Sequence, residues 1–290
     1  MVESIRSADQ DFSGITAAIA ACSDPVIDRN REYTIQAVEK LESLGINVIV
    51  GDNVFRTDTA MDPAAKAEVL NSFFRNEKVT HIFDVSGGNL SNTVLPYVDM
   101  EAAAKSRAVL HGYSDLTALM NGIVARTGRP AVNYQIRNIV RDHADVQLDY
   151  LLGSVFKNSI APTDIECTFI RGSRMEGRLL GGNLRCFIKL AGTPYWPDTK
   201  GAILLFEGLG GGPFKMMTYI EQYSQMGVFD EINGVIIGTF SDIENNDLKP
   251  TVPEMILRWV PERVPVALTR YIGHKTDARA AVIGTYQSFS

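Results

Sequence analysis

Cysteine and histidine are scarce in this sequence of 290 residues, which has three of the first and four of the second. Cys22, Cys167 and Cys186 are too few and too scattered for a disulfide framework, and no metal-ligand spacing occurs. Cysteines without such a framework are typical of proteins from a reducing compartment. We therefore expect a cytoplasmic protein that holds no metal.

Long apolar runs and basic runs are also missing. No uninterrupted apolar stretch is long enough to cross a bilayer, and the N-terminus lacks the charged-then-apolar pattern of a signal peptide. The net charge of −6 gives no support to nucleic-acid or anionic-membrane binding. We expect neither of these partners, and a small ligand instead.

The composition, 45% hydrophobic and 21% charged, is that of an ordinary globular protein. In the first half, apolar residues including Ile35 and Leu41 recur at helical spacing over residues 28–45, and Asp62 is placed to start a second helix. The predicted strands of this half are residues 46–50, 80–85 and 108–110. Such alternation predicts a largely parallel sheet covered by helices.

The second half has a different pattern, with short strand candidates and few helices. The predicted strands are residues 165–170, 177–180, 202–206, 235–240 and 264–271, and one helix is predicted near residues 213–226. The predicted fold class is therefore α/β with two domains. An N-terminal α/β domain with a mostly parallel sheet covers residues 1–158, and a β-rich C-terminal domain covers residues 159–290.

Ser114 is the candidate nucleophile, because it follows an apolar run and a glycine corner and precedes a helical pattern. A serine at a strand-to-helix turn projects its hydroxyl above the sheet edge, with the helix N-terminus behind it. The second glycine of the usual hydrolase elbow is absent, and Leu116 occupies its position. The alternative is that Ser114 or Asp115 only caps the helix that follows.

A serine nucleophile needs a base, and His274 is the candidate, since a glycine precedes it just past an apolar run. A surface-loop histidine is the alternative for this segment. His111 is a second candidate because it lies three residues before Ser114, although it could point into the sheet. We expect His81 and His143 to be structural or solvated.

Glu207 is the candidate acid to orient the imidazole, because it closes an apolar strand. The alternative is a strand-end acid that faces water. Four glycines occupy the five positions from Gly208 to Gly212, which predicts a mobile loop beside the acid. A phosphate-binding loop is excluded by the glycine spacing, and no Gly-Lys-Ser/Thr follows.

Several segments together resemble the serine LD-carboxypeptidase family, which includes the microcin C immunity peptidases. The matching segments, in the order of the family, are Gly87-Gly88, residues 112–119, residues 177–184, residues 192–195, residues 205–207 and Gly273-His274. The resemblance spans most of the chain. It implies a two-domain fold, a serine peptidase without a cofactor, and a homodimer.

The resemblance also implies roles for particular residues. Ser114, Glu207 and His274 would form the catalytic triad across the cleft between the two domains. The backbone N–H groups that would form the oxyanion hole belong to Asp115 and to a glycine of the Gly87-Gly88 pair. Asn183 would lie at the substrate site. The implied substrate is a murein tetrapeptide, from which the enzyme would trim the terminal D-alanine.

The sequence departs from the family pattern in places that affect the substrate. Residues 5–10 are polar where the family has an apolar strand, residues 133–135 replace a Gly-Pro pair, and residues 208–212 replace an acidic, proline-bearing segment that lines the cleft. Two alternative functions therefore stay open. One is an immunity-type peptidase acting on peptidyl or aminoacyl nucleotides, for which neither Trp196 nor Trp259 has a matching stacking position. The other is a non-catalytic homologue that acts as a binding module.

Overall fold

A computed structural model of the chain describes residue 12 and residues 14–57, 62–157 and 165–290. Over this part of the chain the strands form two six-stranded sheets. The domain boundary expected between residues 158 and 159 lies outside the described residues, as does segment 5–10.

The helices and strands have the following bounds. The strands are β1 Thr16–Ala20, β2 Asn47–Val50, β3 His81–Asp84, β4 Val109–Gly112, β5 Ala131–Asn133, β6 Thr168–Arg171, β7 Met175–Asn183, β8 Ile203–Gly208, β9 Gly234–Phe240, β10 Val266–Leu268, β11 Ala281–Ile283 and β12 Tyr286–Phe289. The helices are α1 Asp28–Ser43, α2 Pro63–Arg75, α3 Ser91–Val94, α4 Met100–Lys105, α5 Leu116–Thr127, α6 Ala144–Tyr150, α7 Leu184–Phe187, α8 Gly212–Gln225, α9 Ser241–Asn245 and α10 Val252–Trp259. Short 3₁₀ turns cover Leu95–Tyr97, Ile136–Val140, Ile188–Leu190 and Val228–Asp230, and a π-helical turn covers Leu151–Val155.

The first sheet has the strand order β11-β5-β4-β3-β1-β2, and all its neighbours except β11 and β5 run parallel. The chain leaves β1 toward β2 and then returns to place β3 on the other side of β1. The carboxyl ends of β1 and β3 therefore adjoin at a topological switch point, where ligands of such sheets bind. The prediction of an α/β domain with a mostly parallel sheet is confirmed.

Strand β1 and one face of helix α1 differ from the prediction. The sequence analysis identified no strand at Thr16–Ala20, because its three alanines have low strand propensity, although the whole strand is buried. In α1 the buried residues include Thr34, Ala37 and Leu41, whereas Ile35 is 39% exposed. Ile35, one of the apolar residues at the predicted helical spacing, therefore does not face the core, whereas Thr34 and Ala37, which do, carry little hydrophobic signal.

The second sheet has the order β12-β7-β8-β9-β10-β6. Its four central strands run parallel, and the edge strands β12 and β6 are antiparallel to their neighbours. The predicted second, β-rich unit is confirmed as this sheet. Strand β11 nevertheless pairs with β5 of the first sheet, so the end of the chain ties the two sheets together.

Helix α5 lies between the two sheets and joins their cores, since its residues from Leu116 to Val124 are all buried. The Asn121 side chain donates to Gly181 O and accepts from Gly181 N, each at 2.9 Å. The Asn183 N–H donates to Thr117 Oγ1 at 2.9 Å. These bonds dock the carboxyl end of β7 onto the helix that follows Ser114.

Candidate active site

Ser114 lies in a strained strand-to-helix turn between β4 and α5. Its φ of +56° is in the left-handed region, which costs a residue other than glycine about 1–2 kcal/mol. A Cβ on Gly112 would lie 2.8 Å from Leu116 Cβ, so the turn has room only for glycine. Strain of this kind is typical of a nucleophile elbow, in which the hydroxyl is raised above the sheet.

The capping alternative does not describe this turn. Asp115 is the N-cap residue of α5, but its side chain makes no capping hydrogen bond. The buried Asp115 carboxylate instead accepts from Ser23 Oγ at 2.6 Å and from Ser91 N at 2.8 Å, and it pairs with Lys189. Burial works to raise the pKa of Asp115, but the hydrogen bonds from Lys189, Ser23 and Ser91 outweigh it and lower that pKa.

Glu207 and His274 are brought together at the carboxyl end of the second sheet. His274 Nδ1 lies 2.7 Å from Glu207 Oε2, and the two side chains are 6% and 2% exposed. The distance is that of an ion pair, but the approach departs from hydrogen-bond geometry, which is common in catalytic pairs without bound substrate. Glu207 does not face water, and His274 is not a surface-loop residue, so neither alternative describes the structure.

The pKa of His274 is raised from its ordinary value of 6.5. Burial opposes protonation of the imidazole, but the charge of Glu207 and its contact with the ring more than offset that effect. The Tyr113 ring packs against the His274 ring with centroids 5.3 Å apart, and Arg137 donates to the Tyr113 hydroxyl at 3.1 Å. Within the described residues His274 Nε2 has no hydrogen-bond partner. The imidazole therefore has one nitrogen beside a carboxylate and the other available for a proton.

His111 lies in the core of the first sheet. Its side chain is fully buried, and its Nε2 lies 3.1 Å from Nδ1 of His81 on the neighbouring strand. Burial lowers the pKa of His111 well below its ordinary range and that of His81 to about 4. Both rings are neutral packing groups at neutral pH, which removes His111 as the alternative base. His143 is exposed, as predicted.

A cavity of about 340 Å³ connects several of the candidate residues. Its wall is formed by Gly88, Asn89, Ser114, Asn183, Leu184, Arg185, Glu207, Gly208, Leu209, Gly210, Gly211, Lys215 and Met216. Asn183 and Glu207 are register partners on adjacent parallel strands, which explains why both reach this wall. Gly87 is not part of the wall, so of the two glycines Gly88 is the one placed to face a ligand.

Gly88 and Asp115 carry backbone N–H groups that donate no hydrogen bond within the described part of the chain. Gly88 has a φ of +119°, and a Cβ there would lie 2.0 Å from an Asp24 oxygen, so no other residue fits. The neighbouring carbonyl of Gly87 accepts from the Asp24 N–H at 3.0 Å. Because a peptide is planar and trans, this bond turns the Gly88 N–H away from Asp24.

The glycine loop is held more firmly than the sequence predicted. The Asp242 carboxylate accepts from the N–H groups of Gly211 and Gly212 at 3.2 and 3.0 Å. The Asp242 N–H donates to Leu209 O at 2.8 Å. The sequence predicts a mobile loop, and the structure adds an anchor that the sequence did not indicate, because Asp242 of α9 bonds to the loop backbone at three points.

Three basic residues of the site were not identified from the sequence. Lys215 and Arg185 line the cavity, and Lys189 contacts Asp115 beside it. Nothing in their local sequence distinguishes them from surface charges. Only the position of Arg185, directly after the matching family segment of residues 177–184, gave a usable signal.

The described residues contain no group of three His, Cys, Asp or Glu side chains arranged to hold a metal ion. Over the same residues, no helix has both the length and the apolar character needed to traverse a bilayer. The three cysteines are free, and burial raises the pKa of each thiol, that of Cys167 to about 11.

Family comparison matches two models to most of the chain. The LD-carboxypeptidase N-terminal domain matches residues 17–134, and the LD-carboxypeptidase C-terminal domain matches residues 176–288. A Treponema pallidum protein named as a candidate carboxypeptidase is 26% identical over 97% of this chain and 89% of its own length. The microcin C7 self-immunity protein MccF of Escherichia coli is 26% identical over 78% of this chain and 75% of its own length.

Solved structures show the same fold. MccF in complex with aspartyl sulfamoyl adenosine superposes with a TM-score of 0.84 at 21% identity, covering 95% of this chain and 92% of that one. The muramoyltetrapeptide carboxypeptidase of Oxalobacter formigenes superposes with a TM-score of 0.75 at 23% identity, covering 95% of each chain.

Proposed function

The chain belongs to the LD-carboxypeptidase family, and from this premise we propose that it is a serine peptidase that removes a C-terminal D-alanine from a murein tetrapeptide. The observation that carries the proposal is the buried Glu207–His274 pair, 2.7 Å apart, at the cavity that Ser114 and Glu207 line. A nucleophile, a base and an orienting acid are the groups that serine peptidases use to hydrolyse an amide bond.

In the proposed reaction Ser114 Oγ attacks the carbonyl carbon of the L,D amide bond while His274 Nε2 takes the hydroxyl proton. Glu207 holds the tautomer that has its proton on Nδ1 and stabilises the imidazolium cation. The N–H groups of Asp115 and Gly88 stabilise the oxyanion, which is the largest single contribution in sites of this type. His274 then protonates the leaving amine, D-alanine departs, and water hydrolyses the acyl-enzyme by the same steps.

Lys215 is the proposed receptor for the substrate carboxylate. A carboxypeptidase must recognise the negative charge at the end of its substrate, and the cavity wall contains the cations Arg185 and Lys215. The Arg185 guanidinium is engaged by Gly88 O and Asn89 Oδ1, whereas Lys215 is exposed on the wall. Asn183, which also lines the cavity, is the proposed partner for the peptide backbone of the substrate.

A second candidate is an immunity-type peptidase, which the similarity to MccF favours. MccF binds aminoacyl sulfamoyl nucleotides in its solved complexes. In this chain, however, the residues that line the cavity include no aromatic side chain to stack on a base, within the described part of the structure. Trp196 packs on Phe187, and Trp259 donates to Glu221. A peptide substrate is therefore the better fit.

A substrate panel tests the proposal. Purified protein is incubated with an L,D-tetrapeptide ending in D-alanine, the matched all-L peptide and an aminoacyl sulfamoyl adenosine, and the released amine is measured. We expect release from the L,D peptide and little from the other two. Preferential cleavage of the adenosine compound would move the assignment to the immunity type, and turnover of none would favour a non-catalytic homologue.

A further inference from the structure

Arg185 and Lys189 lie one helical turn apart, directly after Asn183 at the end of β7, and both reach across to the first sheet. Arg185 donates from its two terminal nitrogens to Gly88 O at 2.8 Å and to Asn89 Oδ1 at 2.7 Å. Lys189 donates to Asn89 O at 2.9 Å. The second sheet thus holds the glycine turn that carries one proposed oxyanion donor.

Lys189 also holds the residue that carries the other donor. Its ammonium group pairs with Asp115 Oδ1, while Asp115 Oδ2 accepts from Ser23 and from Ser91 N. The Asp115 carbonyl accepts from Ser91 Oγ at 2.5 Å. Both the side chain and the carbonyl of Asp115 are therefore fixed, and its N–H group is the part left to face a substrate.

We propose that Arg185 and Lys189 are positioning residues that fix the Gly88 and Asp115 N–H groups at the spacing an oxyanion requires. The proposal rests on the proposed hydrolase function. Neither residue needs to touch the reacting atoms, because Arg185 acts through the Gly88 carbonyl and Lys189 acts through the Asn89 carbonyl and the Asp115 carboxylate. An oxyanion hole built in this way is complete only when the second sheet is docked on the first.

The expected effect is on the chemical step. Removing one oxyanion donor lowers kcat by about 10²–10³-fold in a serine protease, and a displacement of about 1 Å can cost about 10²-fold. Loss of the Arg185 contacts leaves the Gly88 turn held by Asp24 and Lys189 alone, and it leaves no buried charge. We expect Arg185→Met to lower kcat by about 10–10²-fold with KM changed less than about 3-fold, and Arg185→Lys to restore part of the rate.

Lys189 needs a different variant, because Lys189→Met alone leaves the Asp115 carboxylate buried without its cation and can unfold the protein. Lys189→Arg keeps the charge, and the double variant Asp115→Asn with Lys189→Met removes both charges together. We expect the double variant to fold and to lose kcat by about 10²-fold. Arg178→Met is the matched control, since Arg178 Nε also donates to a loop carbonyl, Gly284 O at 3.1 Å, at the opposite end of β7.

The test combines steady-state kinetics on the cleaved peptide with the rate at which a fluorophosphonate probe labels Ser114. Phosphonylation also places charge in the oxyanion hole, so both rates should fall together in the Arg185 and Lys189 variants and stay unchanged in Arg178→Met. If the probe labels the Arg185 and Lys189 variants as fast as it labels the wild type, the positioning role is overturned. A rise in KM alone would assign Arg185 to substrate binding instead. A wild type inert to both probe and peptide would overturn the proposed function and this inference with it.

Discussion

Replacement of Glu207 by glutamine removes one negative charge from the buried pair and changes almost nothing in size. The Glu207 side chain is 2% exposed and its Oε2 lies 2.7 Å from His274 Nδ1, so no water replaces the lost charge next to the ring. The analogous acid-to-amide change in a serine protease lowers kcat by about 10⁴-fold. We expect Glu207→Gln to lower kcat by about 10³–10⁴-fold while KM changes little.

The same variant should move the pH dependence. The base must be neutral in the free enzyme, and the pKa of His274 is raised above 6.5, so the wild-type kcat/KM should rise with pH through an inflection above that value. In Glu207→Gln the carboxylate that raises the pKa of His274 is gone, and the effect of burial, which lowers the pKa of a histidine, remains. The inflection should therefore shift to lower pH, below 6.5.

The pH dependence of the unfolding free energy is an independent test of the Glu207–His274 pair. Because the folded-state pKa of His274 is raised, the protonated pair stabilises the protein fully below the unfolded pKa of about 6.5, and this stabilisation is lost as pH rises through the folded pKa. As the pH rises from about 6.5 through the folded-state pKa of His274, the difference in unfolding free energy between wild type and Glu207→Gln should therefore shrink. The assays are kcat/KM and urea unfolding, each over a series of pH values. An unchanged kcat with an unmoved inflection would refute the reasoning, and a variant that unfolds would assign Glu207 a structural role.

Three further predictions follow from the site. His111→Ala should keep its activity and His274→Ala should lose at least ~10³-fold in kcat/KM, and the reverse order would mean that the base is misassigned. Gly112→Ala should lower the free energy of unfolding by about 1–3 kcal/mol in denaturant titration, because the new Cβ meets Leu116 Cβ at 2.8 Å, and an unchanged midpoint would contradict the turn geometry. Lys215→Met should raise KM for the L,D-tetrapeptide by about 10-fold at constant kcat, and an unchanged KM would remove Lys215 as the carboxylate receptor.

The fold could be predicted where large apolar residues carry the pattern. Helix α2 starts after Asp62 as predicted, and Leu70, Phe73 and Phe74 are buried on one of its faces. Strand β1 and the buried face of α1 could not be found in this way, because alanine and threonine form their surfaces. Burial of such residues is decided by what packs over them, which a local pattern does not contain.

The chemical residues of the site could be nominated because each follows an apolar strand that the sequence shows. Ser114 lies just past β4 of the first sheet, whereas Glu207 lies near the end of β8 and His274 lies beyond β10, both in the second sheet. In each sheet the carboxyl ends of neighbouring parallel strands lie at the same edge. The residues that hold them could not be nominated in the same way. Lys189 is 74 positions from Asp115, and Asp242 is 30 positions from Gly212, so only the folded chain makes these charges neighbours.

The most direct test of the account is D-alanine release from the L,D-tetrapeptide by wild type and Ser114→Ala, measured side by side. Ser72→Ala is the control, because Ser72 is an exposed serine on α2. We predict that the wild type and the control release D-alanine equally and that Ser114→Ala, with its fold intact, is slower by at least ~10³-fold. Near-normal release by Ser114→Ala would contradict the claim that this serine is the nucleophile.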